Sequence, residues 1–394
     1  MKSLLKLTII MGVLSLIILS CSDDPSSIGI GLVESESLSV NTFNTRDDST
    51  AQTSSSYKEV VSLGLSSRIF IGKKGDLDAS TLMKFDFVLP DSLKSGFLND
   101  SITVKEATIT LLPNYTYNDA QQTMDFNIYK INNYWNSSTY TIDSLQQKLD
   151  YDNSTDLSSN KNFTDSIYTL NLDNSTVLSW IKSSLDTTLE KNYGIYFKPT
   201  PGSGKIVGFP AFGLSDTSYA SLTVVIQREG SYTDTVIGYL TADVSVISGD
   251  LPTLPTGEIA IQGGLTVRSK LFFDINDIPE NVVINKAQLI LTQDTLSSVT
   301  SESGAGSIAV YSIVDSTTDS VDVYSAVLMT KQDNIFTGDI TYFVDNWVNK
   351  KNNQGMILIS GTQTDNLELL AIKGSNYSDL LERPLIKVTY TSKK

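Results

Sequence analysis

Histidine is absent from this chain of 394 residues, and cysteine occurs once. Together these absences exclude Ser-His-Asp and Cys-His catalysis, histidine-ligated metals, cysteine-rich zinc sites and intramolecular disulfides. Positive charge is scarce as well: 29 Lys plus Arg stand against 44 Asp plus Glu, a formal net charge of -15. Such a surface repels phosphate backbones, so nucleic acid is not among the expected partners. Long apolar runs are lacking too, since Leu7 to Leu19 falls short of the ~20 residues a spanning helix needs. What is present, 40% hydrophobic and 19% charged residues, suffices to bury a core. At ~100 to 200 residues per domain the length allows two or three domains.

The start of the chain reads as an address. Lys2 and Lys6 precede the apolar run, as in a secretory signal, and the run closes on Ile18-Leu19-Ser20-Cys21. That close resembles a bacterial lipobox, in which small residues precede a cysteine that receives lipid before cleavage; Leu19 is a less usual choice two positions ahead. The resemblance implies a signal peptide over 1–20, lipidation at Cys21, and a membrane hold through acyl chains alone. Ser22-Asp23-Asp24-Pro25 is similar to the acidic export signal of Bacteroidota surface lipoproteins, which implies an outer-membrane anchor facing the cell exterior. Residues 21–56, rich in Ser, Thr, Asp and Asn, read as a tether with material for one strand.

Beyond the tether the pattern is that of an all-β protein. Ile102 to Leu112, Phe126 to Ile131, Ser221 to Ile226, Val282 to Leu291 and Leu385 to Tyr390 alternate or run apolar with β-branched and aromatic enrichment. Ser and Thr supply about ninety residues, which favours strands and turns. Two stretches, Ser175 to Leu185 and Asp339 to Val348, space apolar residues by three and four and predict short helices. The elements also recur in one order. Leu82-Met83-Lys84-Phe85-Asp86 answers Lys270-Leu271-Phe272-Phe273-Asp274; Val104 to Leu111 answers Ile284 to Leu291 about Ala107 and Ala287; Ile128 to Ile131 answers Val310 to Ile313. Trp180 answers Trp347, and Gly194 answers Gly355. The repeat sets two domains, 57–228 and 229–394, with the turn-rich Asp250 to Gly257 near the start of the second.

This order, ending in Arg383-Pro384-Leu385-Ile386-Lys387-Val388-Thr389-Tyr390, resembles the DNRLRE-type domain, a jelly-roll β-sandwich family that includes carbohydrate-binding modules, some of them alginate-binding. The likeness covers both repeats. The first repeat departs from it in reading Tyr219-Ala-Ser-Leu222 where the second has Arg-Pro, and neither carries a ligand-reading motif that transfers residue by residue. Ile28 to Gly31 and Ser62 to Leu65 are also similar to uncharacterised Bacteroidota lipoproteins. The resemblance implies two tandem jelly-roll sandwiches, each with a short helix. Patterned strands with turn signals and no disulfide agree with that, since ~170 residues per unit can be held by burial alone.

Candidate chemistry follows from the residue types. Sugar rings stack on flat aromatic faces, and Tyr115, Tyr117, Tyr134, Trp135 and Tyr140 lie in turn-like segments beside Asn114, Asn118, Asn132, Asn133 and Asn136, a candidate glycan platform; the competing reading packs these rings under the loops. Trp180 and Trp347, on apolar helix faces, read as core. Asp86 and Asp274 are the repeat-matched acids; a carboxylate pair would suit glycoside hydrolysis, while a residue just after a strand more often satisfies a turn or a Lys. Asp76 with Asp78, or Asp150 with Asp152, offers clustered oxygens for a structural calcium ion, without a complete twelve-residue calcium loop. No other cofactor is expected. Eight tripeptides, among them Asp48-Ser-Thr and Asp165-Ser-Ile, resemble the Asp-Ser/Thr-aliphatic acceptor of Bacteroidota O-glycosylation. The expectation is a non-catalytic surface lipoprotein that binds an extracellular polysaccharide, with a structural envelope protein that contacts other proteins as the alternative and a carboxylate-only polysaccharide-degrading enzyme as a third.

Overall fold

Alternating Ser/Thr and β-branched residues place one face of each strand in a core and leave the other in water or under a covering loop. The result, in a computed structural model that describes residues 38–46, 50–117, 121–212, 219–228, 230, 233–301 and 306–393, is a predominantly β protein. Twenty-five strands and four α-helices occur among the described residues, and the strands form two large antiparallel sheets, each folded into a sandwich. Cys21, its flanking signal and the tether up to residue 37 lie outside the described residues, as does Asn118. No helix among the described residues is long and apolar enough to cross a membrane.

In the first sandwich, inward side chains of Leu77–Phe87, Ile195–Pro199, Phe126–Ile131 and Ile206–Pro210 meet those of Ile102–Leu111, Ser221–Arg228 and Tyr168–Leu172 in one apolar core. The helix Asn174–Leu185 starts where Asp173 accepts the Thr176 amide at 2.7 Å, and buries Val177, Trp180 and Ile181 in that core. In the second sandwich the helix Thr341–Asn349 does the same with Phe343, Val344, Trp347 and Val348. Two further helices, Asp91–Leu98 and Ile142–Lys148, are too short and too rich in Ser or Gln for their sequence period to stand out.

The repeat is geometric down to single bonds. Met83 pairs with Ile195 and Leu271 with Met356, each just after a glycine of positive φ, +90° at Gly194 and +84° at Gly355. A side chain there would strike a backbone carbonyl, Met83 O at 2.1 Å or Leu271 O at 2.6 Å. Two residues earlier Asn192 and Asn353 each bridge strands: the side-chain amide donates to Phe85 O or Phe273 O, and the side-chain oxygen accepts from the glycine N–H. The strands Ile102–Leu111 and Val283–Val299 slip register by one residue at matched positions, Lys105 and Asn285.

A buried hydroxyl pair also recurs. Phe70 N donates to Ser245 Oγ (2.6 Å), Thr81 Oγ1 donates to Phe70 O (2.7 Å), and the two hydroxyls meet at 2.9 Å. In the second sandwich Ala260 N donates to Ser56 Oγ (2.8 Å), Ser269 Oγ donates to Ala260 O (2.7 Å), and Ser56 meets Ser269 at 2.9 Å. The hydroxyls stand in for ladder bonds that Phe70 and Ala260 lack toward the neighbouring strand.

This correspondence redraws the expected boundaries. The 16-residue strand Thr233–Ser248 runs beside Ser221–Arg228 and then Leu77–Phe87, so it closes the first sandwich and the boundary at 228 moves to about 248. Its counterpart in the second sandwich is two strands, one within the expected tether and one that starts there and runs across the expected boundary at 56. Leu38–Asn44 pairs with Leu385–Lys393, and Gln52–Lys58 pairs with Val267–Phe273. The second sandwich is thus discontinuous, 38–58 with 249–393, and the tether contributes to two strands rather than one. Side-chain periodicity could not show this, because the segment buries one apolar side chain, Phe43.

The two sandwiches meet through equivalent faces. Phe70, Ala79 and Ile206 of the first and Ala260, Val267 and Leu369 of the second share one buried cluster, with Tyr115, Tyr117, Leu265 and Leu367. At the rim Asp365 Oδ1 accepts from Ser67 N (2.6 Å), Ser66 Oγ (2.9 Å) and Ser67 Oγ (2.8 Å). The Arg68 guanidinium donates to Asn114 Oδ1 at 2.9 Å and to the Asp365 carbonyl while lying over the Tyr115 ring.

Candidate functional site

The expected aromatic platform is split by the structure into three places. Tyr115 and Tyr117, on a short strand, are buried in the seam between the sandwiches, where the Leu367 N–H donates to Tyr115 Oη at 3.1 Å and Phe70 packs edge-on to the ring. Burial raises both phenol pKa values, that of Tyr117 to about 12. Trp135 and Tyr140 lie edge to face beneath the loop and helix of residues 132–149, covering Leu82, Tyr196, Val244 and Val246 on the outer face of the first sandwich. The Trp135 indole donates to Tyr193 O at 2.7 Å, and burial pushes the Tyr140 hydroxyl up to about 12. These four rings are buried, Tyr115 and Tyr117 beside Leu265 and Leu367 in the seam and Trp135 and Tyr140 beside Ile142 and Leu145 under the loop, so none of them presents an open face to solvent. Tyr134 alone stands in water, 75% exposed.

Tyr134 marks the rim of a cleft that also gathers Asp86, Trp135 and Trp180. The cleft, of about 460 Å³, is lined by Lys84, Asp86, Tyr134, Trp180, Lys191 and Asn192, with Ser183, Ser184, the Trp135–Tyr193 pair and the apolar Phe87 and Ala242 completing the wall. Its floor follows from the repeat: Lys84 and Asp86 project from the Leu77–Phe87 strand, Trp180 comes from the helix, and Asn192 bridges in front of the glycine turn. Asp86 Oδ2 accepts from Lys84 Nζ at 2.8 Å and from Thr241 Oγ1 at 2.9 Å, so this carboxylate satisfies a lysine. Asp86 is the single carboxylate on this wall, against two ammonium groups, so the cleft is locally cationic on an acidic protein.

A second cleft, of about 360 Å³, occupies the equivalent position in the other sandwich. Phe272, Asp274, Trp347 and Asn353 take the places of Lys84, Asp86, Trp180 and Asn192. Here Asp274 Oδ1 accepts the Asn276 amide at 3.2 Å, a turn role, and Lys351 pairs with Glu280 at 2.9 Å. The acids Asp86 and Asp274 therefore sit in separate clefts and do not form a pair. Trp180 and Trp347 are buried, as core residues are, and both indole N–H groups lack a hydrogen-bond partner.

Asp76 and Asp78 fall at a hairpin, where Asp78 pairs with Lys73 at 3.3 Å, and Asp152 accepts from Ser154 N and Oγ. Among the described residues no group of three acidic, histidine or cysteine side chains is placed to hold a metal ion. Of the tripeptides resembling glycan acceptors, Asp165-Ser-Ile lies in an exposed bend, while Asp48 and Ser49 are outside the described residues. Sequence reasoning missed Lys84, Lys191 and Asn192 as site residues. The signal was present for one of them, since Asn-x-Gly recurs as Asn192-Tyr193-Gly194 and Asn353-Gln354-Gly355. No protein-family model matches the chain, and no curated protein matches it at a significant level.

Proposed function

We propose that the chain is a non-catalytic lipoprotein, anchored at the outer membrane through Cys21 and displayed toward the medium, whose first sandwich binds an extracellular glycan. The observation that carries the reading is the cleft under Tyr134. It combines an exposed aromatic face with planar amide, hydroxyl, carboxylate and ammonium groups within about 460 Å³, the mixture that stacks on a sugar ring and exchanges hydrogen bonds with its hydroxyls. Two lysines against one aspartate favour an acidic polysaccharide over a neutral one. The likeness of the repeated motifs to DNRLRE-type domains supports the same reading.

The test is binding of the lipid-free chain from residue 22 to soluble acidic and neutral polysaccharides, with and without calcium. Saturable binding to an acidic glycan is expected, with at least a tenfold loss in Tyr134→Ala at unchanged Tm. An absence of binding across the panel would overturn the proposal and favour the protein-contacting alternative, for which exposed Val323, Tyr324 and Leu328 on the second sandwich are the first surface to probe.

A further inference from the structure

The second sandwich is closed by strands that do not belong to its own stretch of chain. In the first sandwich the closing strand follows directly: Gln227 faces Thr233 across a hairpin, and the chain runs on through Ser248. In the second, Lys393 faces Leu38, so the same place is taken by residues that precede the entire first sandwich. Ser245 and Ser56 make the same hydroxyl bridge, which fixes the two closing strands as equivalents.

The hold on this segment is mostly backbone. Seven register pairs join 38–44 to the edge of 387–393, and seven join 52–58 to the edge of 267–273. Phe43 enters the core, and Thr45 exchanges two bonds with Ile386 at the corner. Beyond Lys58 a short connector leads into the first sandwich; Val60 within it is exposed, while Ser62 Oγ donates to Ser137 O at 3.0 Å and Leu63 is buried in the seam. Backbone pairing along two open edges, with one apolar anchor, is how an extended peptide adds to a sheet.

We propose that residues 38–58 act as a donor-strand pair and that the two edges they occupy form a peptide-binding groove, one that accepts the same segment from a second copy of this chain once its own is displaced. The ligand class is an extended peptide with a phenylalanine at the position of Phe43 and a small hydroxyl residue at that of Ser56. The inference is independent of the glycan reading.

The test uses the mature chain with a specific protease site placed at residues 60–62. After cleavage the segment is expected to stay bound through size exclusion, and an excess of labelled 38–58 peptide is expected to replace it at up to one per chain, whereas a Phe43→Asp peptide does not. In parallel, a permuted chain carrying 38–58 after Lys393, through a short glycine-serine loop, is expected to keep the parental Tm. Release of the cut segment with no change in Tm would overturn the proposal. So would failure of the labelled peptide to enter the cut protein while the permuted chain folds normally.

Discussion

Tyr115 separates a structural ring from a sugar platform. Its hydroxyl accepts the buried Leu367 N–H at 3.1 Å across the seam, and its ring packs against Phe70 and under Arg68. Tyr115→Phe keeps the ring and strands that N–H without a partner, which costs about 1 to 3 kcal/mol. Tyr115→Ala also removes the ring from a cluster shared by both sandwiches, and large-to-small changes at such sites cost about 3 to 5 kcal/mol. Guanidinium unfolding of the mature chain, with glycan binding measured in parallel, separates the two roles. The expected result is an ordered loss of stability, Phe then Ala, with Kd unchanged in every variant that is still folded. A Tyr115→Phe variant as stable as the parent, or a Tyr115→Ala variant of normal stability that no longer binds, would refute the reasoning.

Asp243 is buried, with the Phe212 N–H on its carboxylate at 2.8 Å, and burial raises its pKa to about 7. Unfolded, an Asp titrates near 3.9, so the folded state holds the extra proton between these values; stability is fullest below about pH 4 and falls as pH rises through 7, by roughly 4 kcal/mol at most. Asp243→Asn is expected to flatten this slope in a pH series of Tm measurements and to raise stability at pH 8. Gly194→Ala and Gly355→Ala force a Cβ against a strand carbonyl at positive φ and should each lose roughly 2 to 4 kcal/mol in denaturant titrations, more than Gly75→Ala, where nothing lies within 4 Å. Ser245→Ala and Ser56→Ala leave Phe70 N–H and Ala260 N–H without their hydroxyl acceptor; matched losses of about 1 to 3 kcal/mol are expected, and a loss in only one would break the equivalence of the closing strands.

Much of the architecture was legible because it is local. Alternation at Val104 to Leu111 and Ile284 to Leu291 announces strands, spacing about Trp180 and Trp347 announces helices, and their common order announces two units of one kind. The site was legible only in part. Tyr134 and Trp135 are neighbours in the chain, yet one stands in solvent and the other lies under a loop against Tyr140. Composition cannot separate them, since an aromatic ring suits a sandwich edge, a loop floor or a ligand face equally well.

The amino-acid sequence by itself determined the all-β class, the repeat and the exclusion of histidine and disulfide chemistry, because these depend on residue type and on periods of two and 3.6 that the backbone imposes within a few residues. Tertiary structure decided which chain segment closes which sandwich. The strands 38–44 and 52–58 are polar, half-exposed and held largely by main-chain hydrogen bonds, which any sequence of similar shape can make. Their partners lie more than two hundred residues away, and nothing in a local pattern names them. The same distance hides the seam, where Tyr115 meets Leu367, and the cleft, where Lys84, Tyr134, Trp180 and Asn192 come together only once the sheets have folded over their core.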